Sequence, residues 1–484
     1  MGATTQNETL HCLALGLGLL DLAEETAPPV EGEGEEAPEA DLSGTESVEA
    51  DLIEIGEGET EIAKDADQIE NLEADSDTLE EVAVAMEAAL KDGGMSRGEV
   101  KFARMAVDRI NRRWKIKKQP IASMEAFGET DSKLNATRTS LEGIGESLKQ
   151  FWTALMAKIS ALWGKLKAWV VKVTDAAPGL KKRAEAIAKK AGEVKGAPTA
   201  GKIPASTFKK LEGLHLGGKA PAAAAFKGAF GELVSNVEMV LSSKHGEHVS
   251  KSVDHVINIL NEEIAKGKAG RSISMIQQLT TFMGESAAAI GATTKADGRG
   301  EGETHITKEM PGGMCFAVTV GKAEGDSVNA LAKTFKIAVA PFSAKKVTVE
   351  ANGNFDTLSG DDVKGLCGEV GKLADALSAF RNGFQSREAA QKKMDEAIKK
   401  ATSAVDRKGE GASEEIRSVK DCGMAVTSLW RAFALFDTSV VGYAFRTARD
   451  TLAYCDKSLA QYGAKAEGAK AEGEGKKEGE GAAA

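Results

Sequence analysis

At 484 residues the chain is long enough for two or three domains, but 52 glycines, 10 prolines and only 5% aromatic residues favour helices and tails over one large sheet. Its five cysteines (Cys12, Cys315, Cys367, Cys422 and Cys455) are scattered with no CxxC or close Cys/His spacing. That excludes a disulfide framework or a zinc site of familiar spacing, and fits a reducing compartment. The net charge of −11 hides a split: residues 1–125 carry 30 acidic and 11 basic side chains (−19), leaving 43 and 51 (+8) for residues 126–484.

No run reaches the roughly 18–20 apolar residues that span a bilayer. The stretch "HCLALGLGLL" (11–20) has no preceding Lys or Arg, follows Glu8 and runs into acid, so it reads as a short helix rather than an export signal. Residues 22–80 are dense in Glu, Asp, Gly and Pro with few large apolar side chains. They are expected to be disordered or at most transiently helical, because burial cannot offset the entropy of ordering them. Helical spacing returns at Leu79, Val82, Met86 and Leu90, stopped by "DGG". It returns again at Val100, Ala103, Val107, Ile110 and Trp114, with Ser96 as a cap and Phe102 and Met105 placed to widen the stripe. The basic joint "RRWKIKKQPIASMEAFG" (112–128) follows.

The clearest helix spans 147–173. Leu148, Trp152, Leu155, Ile159, Leu162, Leu166, Trp169 and Val173 alternate spacings of four and three, a seam of nearly four heptads. Lys149, Lys158, Lys165, Lys167 and Lys172 fall largely off it. Three readings fit: one helix of a bundle core, a self-associating coiled coil, or an interfacial helix on a membrane surface with Trp on its apolar face. Residues 176–206, rich in Ala, Gly, Lys and Pro, read as a basic helical fragment between flexible breaks. Helical patterns over 222–265 give way to period-two stretches in "THITKEM", "MCFAVTVG", "FKIAVAPF" and "KKVTVEANG", which predict two to four strands in antiparallel hairpins. Helices return from about 359 to 462, and a Gly/Ala/Glu/Lys tail closes the chain.

Catalytic signatures are missing: there is no P-loop, dinucleotide fingerprint, HExxH or GxSxG. His245, His248 and His255 fall at spacings that put them on one helical stretch, and read as surface or helix-end residues in preference to a metal site. "NGNFDTLSGDD" (352–362) lacks calcium-loop spacing and reads as a hairpin turn before a helix capped at Ser359. No catalytic, cofactor or metal residue is assigned and no cofactor is expected.

Ser123-Met124-Glu125 followed by Ala126 resembles the maturation sites of phiKZ-like large tailed phages, whose prohead protease cuts after small-x-Glu. The chain resembles the internal head, or inner-body, proteins of those phages. The Trp/Lys helix soon after the joint and "YAFRTARDTLAYCDKSLAQY" (443–462) also carry the likeness. The resemblance implies a non-enzymatic precursor made in the host cytoplasm, whose acidic propeptide is removed once the capsid has assembled, so that the product resides in the virion head. Implied partners are the prohead protease, capsid or core proteins, and packaged DNA bound without sequence preference. Glu49, Glu87 and Glu142 also end small-x-Glu triplets and are secondary cleavage candidates. The alternatives are a membrane-active ejection protein working through the 147–173 helix, and an injected enzyme with an unrecognised site.

The fold expected is mainly α with a small antiparallel β portion, a disordered acidic N-terminus and a low-complexity C-terminal tail. Its divisions are a propeptide (1–125), linker and Trp/Lys helix (126–175), basic linker (176–206), α+β domain (207–358), helical domain (359–462) and tail (463–484).

Overall fold

A computed structural model of the chain describes residues 43–116, 130–208, 213–266, 273–296, 302–322, 328–344, 353–406 and 413–463. The joint triplet, "HCLALGLGLL", "KKVTVEANG" except its last glycine, and the tail beyond Gly463 lie outside them. The fold is mainly α with small antiparallel sheets, as the patterning predicts. Contacts divide it into two units, Glu57–Trp169 and the remainder (Met1–Gly56 with Val170–Ala484).

Helix α1 (Ser43–Lys91) from Glu57 onward, α2 (Arg97–Arg113) and α3 (Thr130–Glu193) as far as Trp169 make the smaller unit. The larger contains α4 (Ala223–Leu241), α5 (Ser243–Lys266), α6 (Ile273–Ala289), α7 (Val328–Thr334), α8 (Gly360–Asp406) and α9 (Ser413–Gly463). Strands β2 (Thr294–Ala296), β3 (Glu303–Ile306), β4 (Met314–Val320) and β5 (Phe335–Pro341) form one antiparallel sheet in that order. β1 (Lys202–Pro204) pairs with β6 (Asn354–Asp356) across some 150 residues of chain, with Ile203 opposite Phe355.

Helix α9 runs through the middle of the larger unit, adjoining α4, α5, α7, α8 and β5. From Cys422 to Leu452 most residues are buried and none is fully exposed, the pattern of a helix covered on all sides. Its Phe436 and Phe433 meet Phe316 of β4 and Phe335 of β5 edge-on or tilted, with ring centroids 5.4 Å apart in both pairs. Further along, Tyr454 gathers Phe208, Phe226 and Phe355 within 5.9 Å, so the C-terminal block 443–462 closes an aromatic core.

Several sequence expectations give way to packing. The break after residue 173 does not occur: α3 passes through Pro178 because Val173, Ala177, Leu180, Ala184, Ile187 and Ala191 keep a buried stripe on either side of it. Tertiary contact overrides the lost backbone hydrogen bond there. Residues 354–356, expected to belong to a local hairpin, pair instead with the distant β1. Ser359 does cap α8, its hydroxyl accepting from the Asp362 amide at 3.1 Å.

The histidines of α5 behave as core rings. His248 stacks on Phe282 at 4.4 Å and hydrogen-bonds Ser286 at 3.0 Å, while buried His245 packs edge-on against Phe433. Among the described residues no group of His, Cys, Asp and Glu is placed to hold a metal. Burial lowers the His248 imidazole to about 4, and burial with the Arg387 charge holds His245 well below its ordinary range. Both are therefore neutral in the fold, whereas an unfolded chain protonates them near pH 6.5. Their stabilising effect is complete above that pH and is lost as pH falls through 6.5 toward 4. Asp437, pushed up to about 6 by burial, acts in the opposite sense between 6 and its ordinary 3.8. Between about pH 7 and pH 5 the urea midpoint of wild type should therefore fall further than that of His248→Gln.

Candidate functional site

The unit Glu57–Trp169 brings the acidic and the Trp/Lys segments together. From Ser43 the acidic stretch is one helix, contrary to the expectation that it orders only transiently. Its seam of Ile62, Ala66, Ile69, Leu72, Leu79, Ala83 and Met86 is buried. Isoleucines at 55, 62 and 69, one heptad apart, were the available signal, concealed by the acids between them. After Lys91, Gly93 and Gly94 take positive φ, and Gly94 lies against the Lys133 backbone where a Cβ would sit at 2.8 Å. A capping box then starts α2: Ser96 accepts from the Glu99 amide, and the Glu99 carboxylate accepts from the Ser96 amide at 2.7 Å.

Val100, Ala103, Val107 and Ile110 of α2 are buried as the spacing predicts. Phe102 and Met105 do not widen that stripe; they are 75% and 62% exposed. On α3, Leu155, Ile159, Leu162, Leu166, Trp169 and Val173 are buried. Leu148 and Trp152 are only half-buried, and Ser147 and Phe151, one residue earlier, take the inner positions. The inner face therefore starts one residue out of the strict heptad register, because Trp114 of α2 meets Phe151 edge-on at 6.3 Å and Asn111 donates to Ser147 at 3.3 Å.

Contacts between α1 and α3 run in opposite directions along the two helices. Gly58 lies on the Trp169 ring, where a Cβ would stand 2.4 Å from Cδ1. Asp65 pairs with Lys165 at 2.9 Å, and Lys158 donates to Gln68 at 2.7 Å. Asp75 accepts from Arg113 and from the Trp114 indole at 2.8 and 2.7 Å, and Thr137 accepts from the Met95 amide at 2.9 Å. The Asp65 carboxylate holds the Lys165 ammonium above its usual range. Such exposed pairs are individually worth under about 1 kcal/mol, so the apolar seam is the main bond and the charges set orientation.

Gly58→Ala should destabilise the unit despite the better helix propensity of alanine, by about 1–3 kcal/mol, since the indole must move. Gly145→Ala, with open space at its Cβ, should instead stabilise by about 0.5–1 kcal/mol. Paired denaturation curves check the difference in sign.

Of the cleavage candidates, Ser123, Met124, Glu125 and Ala126 lie outside the described residues. Glu49 is exposed near the start of α1; Glu87 is half-buried within α1 beside fully buried Met86; Glu142 is exposed on α3 with Ser140 buried. A protease that binds its substrate as an extended strand must unwind a helix to reach any of these three.

The family model described as phiKZ-like phage internal head proteins matches residues 51–457, taking in the acidic helix, the Trp/Lys helix and the aromatic core. No curated protein and no solved structure matches the chain.

Proposed function

The chain belongs to the phiKZ-like phage internal head proteins, and from that premise we propose that it is a structural precursor cut by the prohead protease after Ser123-Met124-Glu125. It is made in the host cytoplasm, enters the assembling head with capsid or core proteins, is packaged with the genome and can leave with it at ejection. The observation that carries this reading is the charge split: −19 on one side of the joint and +8 on the other. An acidic arm disfavours contact with DNA during assembly, and its loss permits weak, salt-sensitive, sequence-independent contact with phosphates.

Burial of the α3 seam inside its own unit supports a packing role for the Trp/Lys helix over a membrane-surface one. No helix among the described residues is long and apolar enough to cross a membrane.

Fractionation of mature particles tests the proposal. The protein is expected in DNA-filled heads, released in step with the genome and more readily at high salt. Recovery with tails alone would overturn it.

A further inference from the structure

The proposed cut falls between segments that share one core, and the consequence concerns what cutting achieves. We infer that the acidic segment stays bound after the connection between α2 and α3 is severed, as a second polypeptide held without a covalent link. The inference rests on the reading that the chain is cut at this joint.

Among the described residues the two sides are joined by contacts spread over α1, α2 and α3. On one side stand Gly58, Asp65, Gln68, Asp75 with Trp114, Met95 and Asn111; on the other stand Trp169, Lys165, Lys158, Phe151, Thr137 and Ser147. The interface extends along α1 from Gly58 to the turn at Gly94, and Ile62, Ile69, Leu72, Leu79 and Met86 are closed from water along it. Hydrolysing one bond in the connection removes a tether but none of these contacts. Losing the tether lowers the effective concentration of one side for the other, against a continuous apolar seam with aligned ion pairs.

The first cut is therefore electrostatically silent. The nicked protein keeps all its side chains and their net charge of −11, and Lys158 and Lys165 remain engaged by Gln68 and Asp65. The change to +8 waits on departure of the arm, which requires α1 to unwind or to be cut within its seam. The triplet ending at Glu87 is such a place, guarded by the buried Met86. Cutting after Glu49 leaves the seam from Ile62 onward intact. This makes residues 50–125 a masking subunit of the basic helix, with the second cleavage as the step that unmasks it.

The full-length protein, given the recognition sequence of an unrelated site-specific protease within 117–129, tests this directly. After complete cutting, both polypeptides should co-elute on gel filtration at about 0.15 M and about 1 M salt, where exposed charge pairs are screened. Tryptophan emission and retention on duplex DNA should be unchanged by the cut. The same protein carrying Ile62→Asp and Ile69→Asp should release the acidic fragment on cutting and gain DNA retention. Elution of the wild-type acidic fragment in its own fraction overturns the inference, whatever the variant does. Failure of the phage protease to cut after Glu125 counts against the proposed function and leaves this test standing.

Discussion

Asp437→Ala should destabilise the larger unit by about 3–5 kcal/mol, because it strands a buried guanidinium. Arg387 of α8 and Asp437 of α9 are each 1% exposed and pair at 2.8 Å. The same guanidinium donates to the Val240 carbonyl at 3.2 Å, near the C-terminal end of α4 where the helix dipole favours a cation, and lies over the Phe380 ring at 5.4 Å. Three helices thus meet at one charge. Around it the backbones approach closely: a Cβ on Gly383 would stand 2.4 Å from the Leu241 carbonyl oxygen. Water has little room to enter and solvate an unpaired Arg387. The double replacement Arg387→Met with Asp437→Leu should recover most of the loss, since an apolar pair of similar volume removes the desolvation cost. Urea unfolding of the three variants measures it. A loss below about 1 kcal/mol for Asp437→Ala would mean that the site admits water.

Trp169→Ala should cost about 3–5 kcal/mol in the smaller unit. The ring is 3% exposed and fills the space left by the missing side chain of Gly58. A glycine floor cannot collapse into the void as a flexible side chain would, so the cavity persists. Hydrogen exchange reports it locally: amides of α1 from Glu57 onward should exchange more than about a hundredfold faster, at a factor of ten per 1.4 kcal/mol, while α9 amides keep their protection. Unchanged exchange in α1 would show that the helix is held by something other than this seam.

How much of this was legible in the sequence depends on whether the deciding contact is local. The α3 seam from Leu155 onward, the Ser96 and Ser359 caps and the stop at Gly93 depend on neighbours within a turn or two, and pattern reading places them. The period of two in 314–320 and 335–341 likewise announces β4 and β5. The acidic helix was missed for a physical reason. Its composition argues for disorder when taken alone, and its stability comes from the hydrophobic face of α3 some 70 to 110 residues away. The continuation of α3 past Pro178 was missed on the same grounds, a local breaker outweighed by side chains that pack on α8 and α9, as Lys181 with Asp375 and Arg183 with Asp456 illustrate. The β1–β6 pairing and the burial of Arg387 with Asp437 have no local signature at all. Charge asymmetry was fully visible, and the structure adds that the acidic helix α1 packs along α3, with Asp65 paired to Lys165.

That addition alters what a cut at the joint means. A charged arm with no partner would diffuse away once severed; an arm that supplies half of a helical core remains until it is dismantled. Both outcomes begin with the cut proposed at Glu125–Ala126. Mass spectrometry of this protein from mature heads, mapping every N-terminus, tests that claim most directly. The account predicts a terminus at Ala126 and no peptide that reads through from Met124 to Phe127. Intact read-through peptides at full abundance in mature heads would contradict it.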